Sequence, residues 1–172
     1  VNKMIRCLKR LRCFWKPMKM NEKMSESLIQ MKDLIDDCLN ALGSKYAKPE
    51  AVELVLATGL VESHYRFIKQ IGSGIASSYW QIEGDTAKDC VDNYLSYRTA
   101  VAKKCAEVSL TPTSLWLTGS KEEWEDVLKY NMRCAIIMCR LKYWRDSRPL
   151  PKTTKGMAQA WKQIYNTSKG AG

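Results

Sequence analysis

Hydrophobic positions between Leu28 and Leu42 recur at steps of three and four: Leu28, Met31, Leu34, Ile35, Cys38, Leu39 and Leu42. That spacing puts them on one face of an amphipathic helix over residues 25–42. Ser27, with Gln30 three residues on, fits a capping box at its start, and Gly43 fits its end. Pro49 suits the first turn of a second helix, which runs from Ala51 to Ser63 and is apolar on most sides. Such an element belongs in a core.

The texture changes over residues 67–83, where Gly72, Ser73, Gly74, Ser77 and Ser78 cluster with Tyr79, Trp80 and Ile82. This composition predicts a loop or a small β segment. Asp85 or Thr86 caps a third expected helix reaching about residue 108, and Thr111-Pro112-Thr113 breaks the chain. Ser120 and Glu123 form a second capping-box pattern, followed by one long helix to Arg145. Pro149 and Pro151 bracket a linker. A last helix is expected over residues 155–165. The pattern gives a mainly helical domain without internal repeats.

Charge changes this picture at the ends. The net charge is +10. Residues 1–23 hold eight Lys/Arg against the single acid Glu22 (+7), and residues 142–172 hold seven against Asp146 (+6). The stretch between carries 13 Lys/Arg and 16 Asp/Glu (−3). Residues 1–23 therefore read as a basic N-terminal tail, and 24–172 as the domain. Basic ends suit anionic polymers, an anionic membrane surface or nucleic acid, and no specific nucleic-acid motif accompanies them. Residues 4–15 also alternate apolar and basic positions at roughly helical spacing, so a surface-seeking amphipathic helix is the other reading of the tail. Charge there recurs too often for a signal peptide's apolar stretch. The most apolar window, residues 51–61, is shorter than the roughly 18 residues of a membrane span.

Seven cysteines without a CxxC pair, and one histidine, His64, match neither a disulfide framework nor the usual Cys/His zinc sites. They read as buried thiols made in a reducing compartment.

Candidate chemistry lies in an ordered set of short segments. Gly59-Leu60-Val61-Glu62-Ser63-His64 places an acid at the end of the apolar helix. Gly74-Ile75-Ala76-Ser77-Ser78-Tyr79-Trp80-Gln81-Ile82 follows, with Thr86 after it. Asn131 and Ala135 come later, and then Ile164-Tyr165-Asn166. These segments resemble those of the SLT-type lytic transglycosylases and goose-type lysozymes, over roughly residues 50–168. The family has a Glu-Ser pair ending a core helix, matched here by Glu62-Ser63. Its Gly-Ala-x-Gly-Leu-Met-Gln-Ile stretch is matched at Ala76, Gln81 and Ile82, and the threonine after it at Thr86. Its Tyr-Asn pair is matched by Tyr165-Asn166. Ile75 and Ser78 stand where the family has glycines, Tyr79-Trp80 where it has Leu-Met, and Gly84 where it has proline.

The resemblance implies an α+β lysozyme-like fold and cleavage of the MurNAc–GlcNAc bond of peptidoglycan glycan strands, with no cofactor and no metal. Glu62 becomes the catalytic acid. Ser63 supports the helix end, Gln81 lines the cleft, Tyr165 turns its hydroxyl to the acid beside Asn166, and Tyr79 and Trp80 stack on sugar rings or pack in the core. A lysozyme variant of the reaction would enlist Glu83 or Asp85. Elementary electrostatics agrees with the role of Glu62, since burial and a helix C-terminus both raise a carboxyl pKa. The segment from Tyr143 to Asn166 also resembles uncharacterised bacteriophage proteins. That implies a virion-associated enzyme, or one released at lysis after synthesis in the host cytoplasm. The alternative is a non-catalytic virion structural protein that keeps a lysozyme-like fold.

Overall fold

Two helices carry apolar residues on nearly every side, and the other elements cover them. The architecture comes from a computed structural model describing residues 2–6, 22–72 and 74–166 (backbone alone for 22–25). Its helices are α1 (Glu22–Leu42), α2 (Pro49–Glu62), α3 (Gly84–Cys90), α4 (Thr99–Ser109), α5 (Thr113–Thr118), α6 (Lys121–Tyr130), α7 (Met132–Trp144) and α8 (Thr154–Ala160). Both α3 and α8 run on into a wider π turn, Val91–Leu95 and Trp161–Tyr165. The described chain is mainly helical, and its β structure is two isolated antiparallel bridges, Lys69 with Ser77 and Ser77 with Ile82.

Helix α7 is the hub. It packs against α1, α2, α3, α4, α6 and the π turn Trp161–Tyr165. Its residues from Cys134 to Leu141, and Tyr143, are buried. Helix α2 lies alongside, burying Ala51, Val52, Leu54 to Gly59, and Val61. Thr58 meets Tyr143 between them, with their hydroxyl oxygens 2.8 Å apart, which satisfies two polar groups that burial would otherwise penalise. Trp80, fully buried, donates its indole N–H to the carbonyl of Val55 at 2.8 Å and so clamps the loop after α2 back onto that helix.

Several boundaries follow their expected chemistry. Pro49 occupies the first turn of α2. Gly43 ends α1 with φ of +139°, a conformation that glycine adopts without steric cost. Ser120 and Glu123 exchange both bonds of a capping box.

Other boundaries depart from expectation. Helix α1 begins at Glu22, so Ser27 lies inside it rather than capping it; Glu22 and the residues after it are good helix formers that extend the first turn backwards. The single helix expected over residues 85–108 is two, divided at Ser96–Arg98, where Arg98 leaves helical geometry with φ −135° and ψ 60°. The long helix expected to Arg145 is also two. Asn131 divides it, ending α6 in an extended conformation and capping α7 by accepting the N–H of Cys134 at 3.0 Å. Its side-chain amide donates to the carbonyl of Ser109 at 2.9 Å, anchoring this corner to α4.

Of the basic N-terminal segment, residues 2–6 form a helical turn with Met4 fully buried in the core. Ile5 is half-buried against the core beside it, whereas Asn2, Lys3 and Arg6 are exposed. Most of the proposed amphipathic stretch, residues 7–15, lies outside the described residues, as do Cys7 and Cys13. Cys38, Cys90, Cys105, Cys134 and Cys139 are free and buried, and burial pushes the thiols up, to about 12 for Cys38 and about 11 for Cys90 and Cys134. No helix among the described residues is long and apolar enough to cross a membrane.

Asn131→Ala removes both a cap and the tie to Ser109, and is expected to cost about 1–2 kcal/mol. Asn131→Asp keeps the cap acceptor and loses the donor, so it should fall between Asn131→Ala and wild type in urea denaturation.

Candidate active site around Glu62

Glu62 is the last residue of α2, and the chain turns sharply beyond it. Ser63 is buried and holds the turn. Its hydroxyl donates to the carbonyl of Tyr79 (2.8 Å), with the Gly59 carbonyl 3.2 Å away as a second acceptor for the same hydrogen, and accepts the N–H of Tyr65 (3.1 Å). His64 and Tyr65 both take left-handed conformations, with φ of 55° and 54°. Tyr65 packs its ring onto Gly59, where an added Cβ would lie 2.6 Å from the ring's Cζ and hydroxyl oxygen. Its hydroxyl donates to the carbonyl of Leu56 at 2.7 Å. Glycine at position 59 is thus required by close approach, one turn before the acid.

The returning loop has the same character. Ser78 and Gln81 are left-handed too, with φ of 67° and 48°. Among the described residues, four of the five non-glycine positions with positive φ therefore border this site. Strained backbone of this kind persists only where surroundings over-determine it, and it gathers at functional sites. Here Ser78 N–H donates to the carbonyl of Ile68 (2.8 Å), and the Gln81 amide donates to the carbonyls of Ser78 (2.8 Å) and Phe67 (3.2 Å). Gln81 ties the loop together through these bonds.

The carboxylate of Glu62 is half-buried, and its Oε1 accepts the indole N–H of Trp161 at 2.8 Å. Burial raises its pKa above the usual 4.5, while the Trp161 bond and the charges of Lys3 and Lys142 hold it down. The C-terminal end of α2 acts with the burial, because a helix terminates in partial negative charge. The arrangement is a partly desolvated acid with one oriented donor and two cations at a distance.

Tyr165 approaches the acid without bonding it. Its hydroxyl donates instead to the carbonyl of Trp80 at 2.7 Å, and its ring stacks on Tyr143 with centroids 5.5 Å apart. The bond expected from Tyr165 is supplied by Trp161, one turn earlier on the same helical segment. Lys142 secures that segment by donating to the carbonyl of Tyr165 at 3.0 Å. Asn166 follows, half-buried, its backbone N–H bonded to Trp161 at 2.8 Å. Trp80 lies in the core, where its ring cannot stack on a sugar, and Tyr79 is half-buried, edge-on to Tyr65 at 5.5 Å. Asp85 is exposed and paired with Lys121 at 2.7 Å, and Glu83 is exposed.

Sequence reasoning overlooked Trp161, Lys142 and Lys3. A signal for Trp161 was present: it stands four residues before Tyr165, so a helix turning one toward α2 turns the other as well. Among the described residues no cluster of His, Cys, Asp or Glu is placed to hold a metal ion.

A raised carboxyl pKa has a thermodynamic consequence. The folded state holds the Glu62 proton more tightly than the unfolded state, so this group's contribution is full at low pH and is lost as pH rises from 4.5 through the folded value. Glu62→Gln lacks that dependence while keeping an acceptor for Trp161. Its stability relative to wild type should therefore increase with pH across that window in denaturant titrations, and a flat or falling difference would contradict the assignment.

No family model matches the chain, and neither does any curated protein or solved structure.

Proposed function

We propose that this chain is a lysozyme-like, peptidoglycan-cleaving glycosidase, a lytic transglycosylase or muramidase encoded by a bacteriophage, with Glu62 as its acid. The observation carrying this reading is the state of Glu62: a carboxyl at the end of an apolar helix, raised by burial and oriented by the Trp161 indole. Breaking a glycosidic bond requires a proton on the leaving oxygen, and a carboxyl of raised pKa retains one to give.

In the transglycosylase form one acid is sufficient. Glu62 protonates the departing oxygen as the bond to the anomeric carbon breaks. Its carboxylate then takes the proton of the sugar's own 6-hydroxyl while that oxygen attacks the anomeric carbon, closing a 1,6-anhydro ring and restoring the acid. In the muramidase form water attacks instead.

The order of elements supports the lysozyme-like reading: a core helix ending in the acid, a short bridged loop, then an array of helices. The loop also exposes Phe67, Ile68, Ile71 and Ile75, an apolar edge of the sort that packs against sugar-ring faces. Glycan strands are the partner this implies, with virion proteins as a second class. An enzyme of this type reaches the wall at lysis or within the particle.

One observation favours the non-catalytic alternative, a virion structural protein on the same scaffold. The Tyr165 hydroxyl is committed to Trp80 rather than to Glu62, so the acid lacks the partner that the family resemblance implies.

Loss of turbidity by purified peptidoglycan separates the readings. Wild type is expected to clear it, and Glu62→Gln to slow clearing by about 100-fold or more, the scale of a lost general acid. Equal clearing by both proteins would remove Glu62 from the chemistry, and no clearing of any wall preparation by wild type would favour the structural reading.

A further inference from the structure

On the side of α7 that carries Arg140, a cleft of about 270 Å³ is lined by Lys48, Arg140, Trp144, Asp146, Arg148 and Pro149, among others. Arg140 is its unusual member. Only 1% of the residue is exposed. Its Nε donates to the carbonyl of Tyr46 at 2.9 Å, and its guanidinium lies over the Trp144 ring at 5.1 Å. Its Nη1 is buried with no hydrogen-bond partner. No carboxylate among the described residues pairs with it, although burying a cation without an anion is costly. Burial pushes Arg140 down to about 10, which leaves it charged at neutral pH.

The neighbours give the unmet charge a direction. Lys48 is exposed and stands at the N-cap position of the 14-residue helix α2 without a side-chain cap bond, so the positive end of that helix adds to its ammonium. Arg148 also lines the cleft, its fork closed on Asp146 at 2.7 and 2.8 Å and its Nη1 bonded to Gln163. Lys45 lies over the Trp144 ring at 5.8 Å. Of the residues lining the cleft, the three cations Lys48, Arg140 and Arg148 against the single carboxylate of Asp146 leave two positive charges. A liquid water occupies about 30 Å³, so the volume admits a group several times larger.

We infer that this cleft binds a phosphate group, with the exposed Lys48 ammonium as its donor, the buried Arg140 guanidinium as the unpaired cation in its wall, and the surplus of two charges matched to a phosphate dianion. The site is separate from Glu62. Trp161 turns toward the acid, whereas Ala160, Gln163 and Ile164 line a groove that shares Arg148 and Pro149 with this cleft.

The test is isothermal titration of the full chain with inorganic phosphate, glycerol phosphate and acetate at one fixed ionic strength, which removes general screening as a variable. Saturable phosphate binding is expected, with acetate at least ten-fold weaker. Lys48→Gln should weaken phosphate at least ten-fold, and Lys103→Gln, which removes an equal charge from exposed α4 surface, should leave it unchanged. Glycerol phosphate binding as tightly as inorganic phosphate assigns the site to a phosphomonoester on a larger molecule; inorganic phosphate binding alone assigns it to the free ion. Arg140→Lys keeps the charge and loses the fork, and should also weaken binding. Should that variant fail to fold, Lys48→Gln alone decides. Absent saturation, or losses equal for Lys48→Gln and Lys103→Gln, would overturn the inference.

Discussion

The contact between α2 and α7 is what the remaining elements are arranged around. Each helix is apolar on almost every side, so neither can face water, and together they still leave most of their surface to be covered. Helix α1, the Trp80 loop, α4 and the segment after α8 each cover part of that surface. The Thr58–Tyr143 pair at 2.8 Å fixes the register of the contact, because separating the two hydroxyls would strand both in the core.

The position of Glu62 follows from that constraint. A helix buried along most of its length must surface somewhere, and α2 does so at its two ends, at Pro49 and Glu50 and again at Leu60 and Glu62. The acid is consequently drawn out of water with the helix end rather than by any pocket built for it. The tight turn beyond, with His64 and Tyr65 left-handed and Ser63 bonded three ways, returns the chain at once to the core. Trp161 compensates for the lost hydration of the carboxylate with one directed N–H, which weakens the rise in pKa without abolishing it. Helix α7 pays a similar cost at Arg140, whose burial leaves one nitrogen unpaired.

What could be read from the sequence were the features encoded in a few adjacent residues. Proline at position 49, glycine at 43 and the Ser120–Glu123 box act through their own backbone, so their outcome needs no knowledge of the fold. The apolar run before Glu62 identified both a core helix and the acid at its end. The division of residues 85–108 was hidden because neither glycine nor proline marks Ser96–Arg98. Asn131 was not visible as a break in the long helix, because the bond that anchors it goes to Ser109, 22 residues away. Met4 was hidden for a related reason: a single apolar side chain in a basic segment acquires meaning only from what it packs against. The exchange of Tyr165 for Trp161 beside Glu62 is a matter of one helical turn, and the wider π turn at Trp161–Tyr165 alters the rotation that regular helical spacing would give.

The central claim is that Glu62 delivers a proton to a glycosidic oxygen. Its most direct test uses glycan strands stripped of their peptides, where only cleavage between sugars releases shorter fragments. Wild-type protein incubated with such strands should yield fragments by mass spectrometry, ending in 1,6-anhydro sugars for a transglycosylase or reducing ends for a muramidase, and Glu62→Gln should release almost none. Strands left intact by correctly folded wild type would contradict the account.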